Sequence, residues 1–108
     1  MEGMELICFQ IITANGSAKS CYIEALQEVK KGNYARADEL IAEGDKMVIE
    51  GHDIHLSLLA KESEGKKTEI SLLLLHAEDQ AMSTEVIKIM VLELIELYKE
   101  RDRKGTKS

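Results

Sequence analysis

The 108-residue sequence has no proline and no tryptophan, only Phe9, Tyr22, Tyr34 and Tyr98 as aromatics, and only two cysteines. Without proline nothing breaks a long helix from within. With so few rings, the core of a chain this size must be aliphatic, filled by Leu, Ile, Val, Met and Ala. Cys8 and Cys21 are too few and too irregularly placed for a disulfide framework or a CxxC zinc site, and they read as reduced, partly buried thiols. No apolar run approaches the roughly 18 residues of a membrane span, and Glu2 and Glu5 stand where a secretory signal has its basic start. The expected location is the cytoplasm, with no membrane insertion. Positive charge is short as well, with 14 Lys and Arg against 20 Asp and Glu for a net charge of −6. Nucleic acid and anionic membranes, which need a positive field to neutralise phosphates, are excluded as main partners.

What remains is helix-forming sequence punctuated by glycine. Gly32-Asn33 follows Lys30-Lys31, and Gly65 follows Glu62-Ser63-Glu64, each as a helix stop. The intervening stretches are rich in Ala, Leu, Glu, Lys, Ile and Met, with apolar residues at three- and four-residue steps. This predicts an all-α, antiparallel three-helix bundle, with helices near residues 2–31, 34–64 and 68–101, each about 45 Å long at 1.5 Å per residue. Residues 1–101 form one domain. Residues 102–108 form a basic tail, disordered after Gly105; from Lys99 to Lys107 it holds five basic and two acidic residues, a composition that suits a helix C-terminus.

In the second helix, Tyr34, Ala37, Ile41, Gly44, Val48, Gly51, His55 and Leu58 trace one face. Gly44 and Gly51 there either permit close backbone approach or are tolerated defects costing about 1 kcal/mol each. The third helix is apolar on more than one side. One row runs Leu72, His76, Asp79, Ser83, Val86, Met90, Leu97, and another runs Leu73, Ala77, Met82, Ile87, Val91, Leu94, Ile95. A three-helix bundle covers only one of them, so the excess calls for a fourth neighbouring helix or self-association.

His76 and Asp79 share one face of that helix. A lone histidine on an apolar stripe is by default a hydrogen-bonded core residue. An aspartate on the next turn shifts the balance, because two ionisable groups on an apolar stripe are costly to bury unless paired, hydrated or used. Acid–base, metal-ligand and phosphoryl-accepting roles all remain open from spacing. By contrast, His52, Asp53 and His55 lack a clear third and fourth ligand and make a poor metal site.

Residues 72–82 read LLLLHAEDQAM. This segment resembles the active-site helix of the lactose/cellobiose-type enzyme IIA proteins of the bacterial phosphoenolpyruvate-dependent sugar phosphotransferase system, which runs approximately LLLVHAQDHLM or LLxVHAEDQLM. Further matches are Gly16-Ser17-Ala18-Lys19-Ser20, where the family has a glycine followed by ARS, then Glu24-Ala25-Leu26, a KxGxxxxA pattern from Lys30 to Ala37, and the closing stretch 93–98. The likeness covers residues 7–100. Lys19 departs from the family's arginine, keeping the charge but losing the planar fork. Ala81 replaces a leucine, and His55-Leu56 stands where the family tends to have Gln-Thr. Gln80, where the lactose branch has a second histidine, makes the chain more similar to the cellobiose/chitobiose branch.

The resemblance implies a homotrimer of three-helix subunits, a nine-helix bundle. It implies that His76 takes a phosphoryl group from phospho-HPr and passes it to the cysteine of a cognate IIB protein, and through it serves the membrane component IIC. It further implies that Asp79 from three subunits gathers a cation, Mg²⁺, at the trimer axis; Gln80 is a candidate hydrogen-bond donor to the phosphoryl group or a plain surface residue. A noncatalytic oligomeric adaptor, with His76 and Asp79 as a polar register pair, is the competing reading from another class. A histidine phosphotransfer domain of two-component signalling is a third, and normally needs four helices in one chain. The sugar is not encoded in this chain, since its selection belongs to IIC.

Overall fold

The computed structural model describes residues 3–65 and 69–106. Three helices follow one another, α1 (Gly3–Lys30), α2 (Tyr34–Ser63) and α3 (Leu72–Thr106), and the described residues contain no strand. The helix starts expected at residues 2 and 68 lie outside the described residues.

Glycine ends the first two helices by taking a backbone conformation that other residues rarely adopt. Gly32 and Gly65 both have φ of +86°. At the first stop, the Asn33 N–H donates to the Glu28 carbonyl at 2.9 Å and the Gly32 N–H to the Val29 carbonyl at 2.9 Å, which satisfies carbonyls the helix end would otherwise leave open. The second stop repeats the inner bond, Gly65 N–H to Glu62 carbonyl at 3.0 Å.

The third helix differs from expectation at both ends. It begins at Leu72 because Ser71 caps it: the hydroxyl accepts the Leu74 N–H at 3.1 Å, while the Ser71 carbonyl takes the Leu75 N–H at 3.0 Å. Residues 69–71 are therefore outside the helix. At the other end α3 runs past the boundary set at 101 and stays helical through Thr106. Basic side chains there complement the helix dipole, Lys104 pairs with Glu100 at 3.5 Å, and the Tyr34 hydroxyl donates to Asp102. Of the tail placed at 102–108, only residues 107 and 108 lie outside the described part.

Pairings along the helices give the register. Tyr22 meets Gly44 and Asn15 meets Gly51, so α1 and α2 are antiparallel. Tyr34 reaches Asp102, Asp45 reaches Lys88 and His55 reaches Glu78, so α2 and α3 are antiparallel too. Cys8 and Ile11 cluster with Ala77, and Val29 with Ile95, which makes α1 and α3 parallel. α1 packs along both other helices, whereas α2 and α3 touch each other little. The His55–Glu78 pair at 2.6 Å and the Lys88–Asp45 pair at 2.7 Å bridge the groove left between them.

Among the described residues the core is aliphatic apart from Tyr22, Cys8 and the buried polar residues Asn15 and Thr84. Ala18, Ala25, Val29, Ala37, Leu40, Val91 and Ile95 surround Tyr22, whose side chain is fully buried and is the largest in the interior. Its hydroxyl donates to Asp45 Oδ1 at 2.6 Å, and burial followed by that bond pushes the phenol's pKa upward. Cys8 is buried and Cys21 half-buried, both as free thiols; burial raises the Cys8 pKa and keeps that thiol neutral. The expected α2 face is the buried one, at Ala37, Gly44, Gly51 and Leu58, with Leu40 added to it.

Gly44 lies against Tyr22: a Cβ at that position would stand 2.7 Å from Tyr22 Cε1. Gly44→Ala is expected to destabilise the fold by about 1–3 kcal/mol through overpacking. Gly16 has no such neighbour within 4 Å, so Gly16→Ala should stabilise by up to about 1 kcal/mol through helix propensity. Urea unfolding of both variants separates close approach from tolerated defect; equal effects would discard the packing role of Gly44.

The Tyr34 hydroxyl, and after it the Arg101 side chain, hold the Asp102 carboxyl below its ordinary value of 3.8. A folded-state pKa below the unfolded one adds stability above 3.8 that is lost as pH falls through the lower folded value. In Tyr34→Phe, acid loosening of the α3 end should therefore begin at higher pH than in the native chain, as followed by hydrogen exchange of α3 amides on lowering the pH.

Candidate functional site

The last half of α3 and its first turns divide their apolar residues between two environments. Ala77, Val91 and Ile95 are buried against α1, with Leu73 and Ile87 packed beside them, so this row is the covered one. Met82 and Leu94, placed in that row by spacing, are exposed instead, Met82 at 67%. The apolar residues of the other row are bare: Leu72, Val86, Met90 and Leu97 are all exposed, Leu72 at 84%, and Leu75 beside the row is exposed too. That is a far larger uncovered apolar face than an ordinary surface helix carries.

His76 and Asp79 sit exposed in this bare face. The default of a buried, hydrogen-bonded histidine is thereby ruled out: neither side chain makes a hydrogen bond or ion pair among the described residues. Its exposure leaves the His76 imidazole open to an incoming group. Asp79, one turn on, presents two carboxylate oxygens, the donor type that suits a hard cation. Among the described residues no three His, Cys, Asp or Glu side chains of the chain stand close enough to share a metal ion. Asp79 fits a cation only if further copies bring equivalent carboxylates to it.

Gln80 is not a plain surface residue. It is half-buried at the α1–α3 seam, where its Oε1 accepts a hydrogen bond from the Lys19 ammonium. The same ammonium donates to Ser83 Oγ at 3.1 Å. Below them, Thr84 is buried and donates to the Gln80 carbonyl at 2.7 Å and to the Asn15 carbonyl at 3.4 Å. Asn15, also buried, donates to the Ile11 carbonyl at 2.9 Å. Every buried side-chain polar atom among the described residues is satisfied. The network fixes the rotational setting of α3, and with it the direction His76 faces.

The structure thus brings His76, Asp79 and Gln80 to one side of α3 and adds Lys19 and Ser83 to them. Ser83 was visible in the row but carried no chemical signal. Lys19 was visible only as a departure from the family's arginine, since α1 and α3 are distant in sequence. His52, Asp53 and His55 do not join this site. His55 is engaged with Glu78 across the α2–α3 groove, which holds about 630 Å³ and is lined by His52, His55, Glu85 and Lys88 among apolar neighbours.

The sequence and the fold both resemble known proteins. Residues 6–99 match the family model described as the PTS system, Lactose/Cellobiose specific IIA subunit. The chain is 44% identical to the oligo-beta-mannoside-specific EIIA component of Bacillus subtilis (strain 168), over 91% of this chain and 89% of that protein. It superposes on the crystal structure of the cellobiose-specific enzyme IIA of Bacillus anthracis with a TM-score of 0.94 and 41% identity, covering 97% of this chain and 96% of that one. The solution structure of the IIA(Chitobiose)–HPr complex is similar at a TM-score of 0.84 and 25% identity, covering 94% and 99%. No described helix is long and apolar enough to cross a membrane. Matched in sequence over nearly its whole length and in fold over the same helices, the chain belongs to the lactose/cellobiose-specific IIA subunit family of the sugar phosphotransferase system.

Proposed function

We propose that the chain is a phosphoryl carrier that accepts a phosphoryl group from phospho-HPr on His76 and passes it to the cysteine of a cognate IIB protein during uptake of a β-disaccharide such as cellobiose, chitobiose or lactose. The observation that carries this reading is His76 itself: an exposed imidazole on a long helix, without a hydrogen-bond or ion-pair partner among the described residues, in a family of sugar-specific IIA components. The similarity to a IIA solved in complex with HPr supports the donor. A neutral imidazole carries a lone pair on one ring nitrogen, which makes that nitrogen a nucleophile, and the phosphoramidate it forms remains a good donor. Phosphoryl transfer then needs mainly positioning and charge neutralisation. Gln80, one turn from His76, would hydrogen-bond the phosphoryl group.

The bare α3 face belongs to the same proposal. Copies of the chain pack their α3 helices together as a homotrimer, burying Val86, Met90 and Leu97 and bringing Asp79 side chains toward one another. Carboxylates that meet in an apolar seam repel unless neutralised. A Mg²⁺ held by Asp79 from each copy would offset two of the three negative charges.

Incubation with phosphoenolpyruvate, enzyme I and HPr should place phosphate on the chain. His76→Ala should abolish labelling with helix content and oligomer size unchanged, while His52→Ala and His55→Ala stay labelled. The adduct should be lost in acid and kept in base, as a phosphoramidate is. Labelling that survives in His76→Ala overturns the assignment, and a base-labile adduct points to an acyl phosphate on Glu78 or Asp79.

For the cation, a chelator should lower the melting temperature of the native assembly, because a ligand that binds only the folded oligomer stabilises it by mass action. Asp79→Leu should remove that sensitivity. Equal responses from both proteins, or a native chain that sediments as a monomer at micromolar concentration, would discard the metal-centred trimer and leave His76 as acceptor.

A further inference from the structure

Lys19 is a half-buried cation whose hydrogen-bond partners are neutral. Its ammonium donates to Gln80 Oε1 and Ser83 Oγ, and among the described residues no carboxylate pairs with it. Lys88, by contrast, is matched by Asp45 at 2.7 Å. A partly desolvated ammonium is stabilised most by an anion, and amide and hydroxyl dipoles replace one only in part. The positive charge at this seam is held in place without being neutralised.

Its position relates it to His76. Residues 76, 80 and 83 lie at i, i+4 and i+7, so they line one flank of α3 in adjacent turns. Gln80 is therefore a neighbour of both the imidazole and the ammonium. α1 runs parallel to α3, and helical side chains lean toward the N-terminus of their own helix. The Lys19 stem accordingly leans toward the α3 end that carries His76, and reaches residues 80 and 83, whereas Asn15, one turn earlier on α1, contacts Thr84. Of the nearby acidic groups, Glu78 is engaged with His55, and Asp79 is exposed with no bond to Lys19.

We infer that Lys19, held by Gln80 and Ser83, is the cation that binds and neutralises the phosphoryl group once it is on His76. This inference rests on His76 being the acceptor. In the transfer, the lone pair of a ring nitrogen forms the N–P bond. The bond from phosphorus to the donor breaks, and its electron pair leaves with the donor. The ring gives up its N–H proton, the donor takes one up, and nothing is oxidised or reduced. The Lys19 ammonium exchanges no proton; it contributes charge where the dianion settles.

The test uses the full chain, phosphorylated by phospho-HPr, in native form and as Lys19→Arg, Lys19→Gln and Lys19→Met. Phosphorus NMR follows the titration of the phosphoryl group itself, a readout that helix packing alone does not move. An adjacent cation favours the doubly charged form, so the midpoint should rise by about one unit in Lys19→Gln and Lys19→Met and stay near native in Lys19→Arg. The equilibrium share of phosphate on the chain, against phospho-HPr, should fall about tenfold in the two neutral variants, as one unit of pKa implies. Lys19→Gln keeps a hydrogen-bonding end without charge, so a native midpoint in that variant overturns the inference. Failure of both neutral variants to fold while Lys19→Arg folds also overturns it, by making the cation structural. Label retained in His76→Ala removes the acceptor reading instead, whereas loss of label there with an unmoved midpoint in Lys19→Gln removes only the role of Lys19.

Discussion

Tyr22 ties the three helices together. Its ring fills the interior beside Gly44, where α2 comes too close for a Cβ, and its hydroxyl donates to Asp45 at 2.6 Å. The same carboxylate oxygen holds Lys88 of α3 at 2.7 Å, and that ammonium lies 6.0 Å from the centre of the Tyr22 ring. One side chain of α1 therefore reaches α2 by contact and by hydrogen bond, and α3 through a shared aspartate. A phenol buried without a partner would cost on the order of 1–3 kcal/mol, so the arrangement holds only as a set.

From this follows the uneven coverage of α3. Because α1 supplies nearly all the packing for both neighbours, α3 presents one row to α1 and leaves the rest bare. A fourth helix in the same chain would have covered Val86, Met90 and Leu97, and would have covered His76 and Asp79 with them. Three helices instead leave His76, Asp79 and apolar surface together on one face. An isolated chain with so much exposed Leu, Met and Val is prone to associate.

Much of this was legible in the sequence, and the reason is local. Gly32 and Gly65 end helices through their own backbone freedom, and the two α3 rows are visible because helical period alone generates them. His76 stood out as a polar residue on an apolar row. What the sequence hid depends on other helices. The burial of Tyr22 runs against a core expected to be aliphatic, since only the facing glycine makes room for the ring and only Asp45 satisfies its hydroxyl. The continuation of α3 to Thr106 depends partly on Tyr34 reaching Asp102. Ser71 as the α3 cap was within reach of sequence reasoning, being a serine three residues before the amide it binds. Lys19 was not, because its partners lie more than sixty positions away.

The candidate site is built on helices throughout, and this bears on the proposed phosphoryl transfer. A helix fixes residues 76, 79, 80 and 83 relative to one another by backbone geometry, so positioning costs little ordering when a partner arrives. The charge comes from a different helix, whose register to α3 is set by Thr84, Asn15 and the Ala-rich packing between them. A shift of α1 against α3 by one turn would carry Lys19 away from Gln80 while leaving the α3 residues mutually unchanged. The proposed acceptor nitrogen is thus a property of one helix and its proposed electrostatic setting a property of two. At the α1–α3 seam the buried polar side-chain atoms are all hydrogen-bonded, whereas His76 makes no hydrogen bond or ion pair among the described residues.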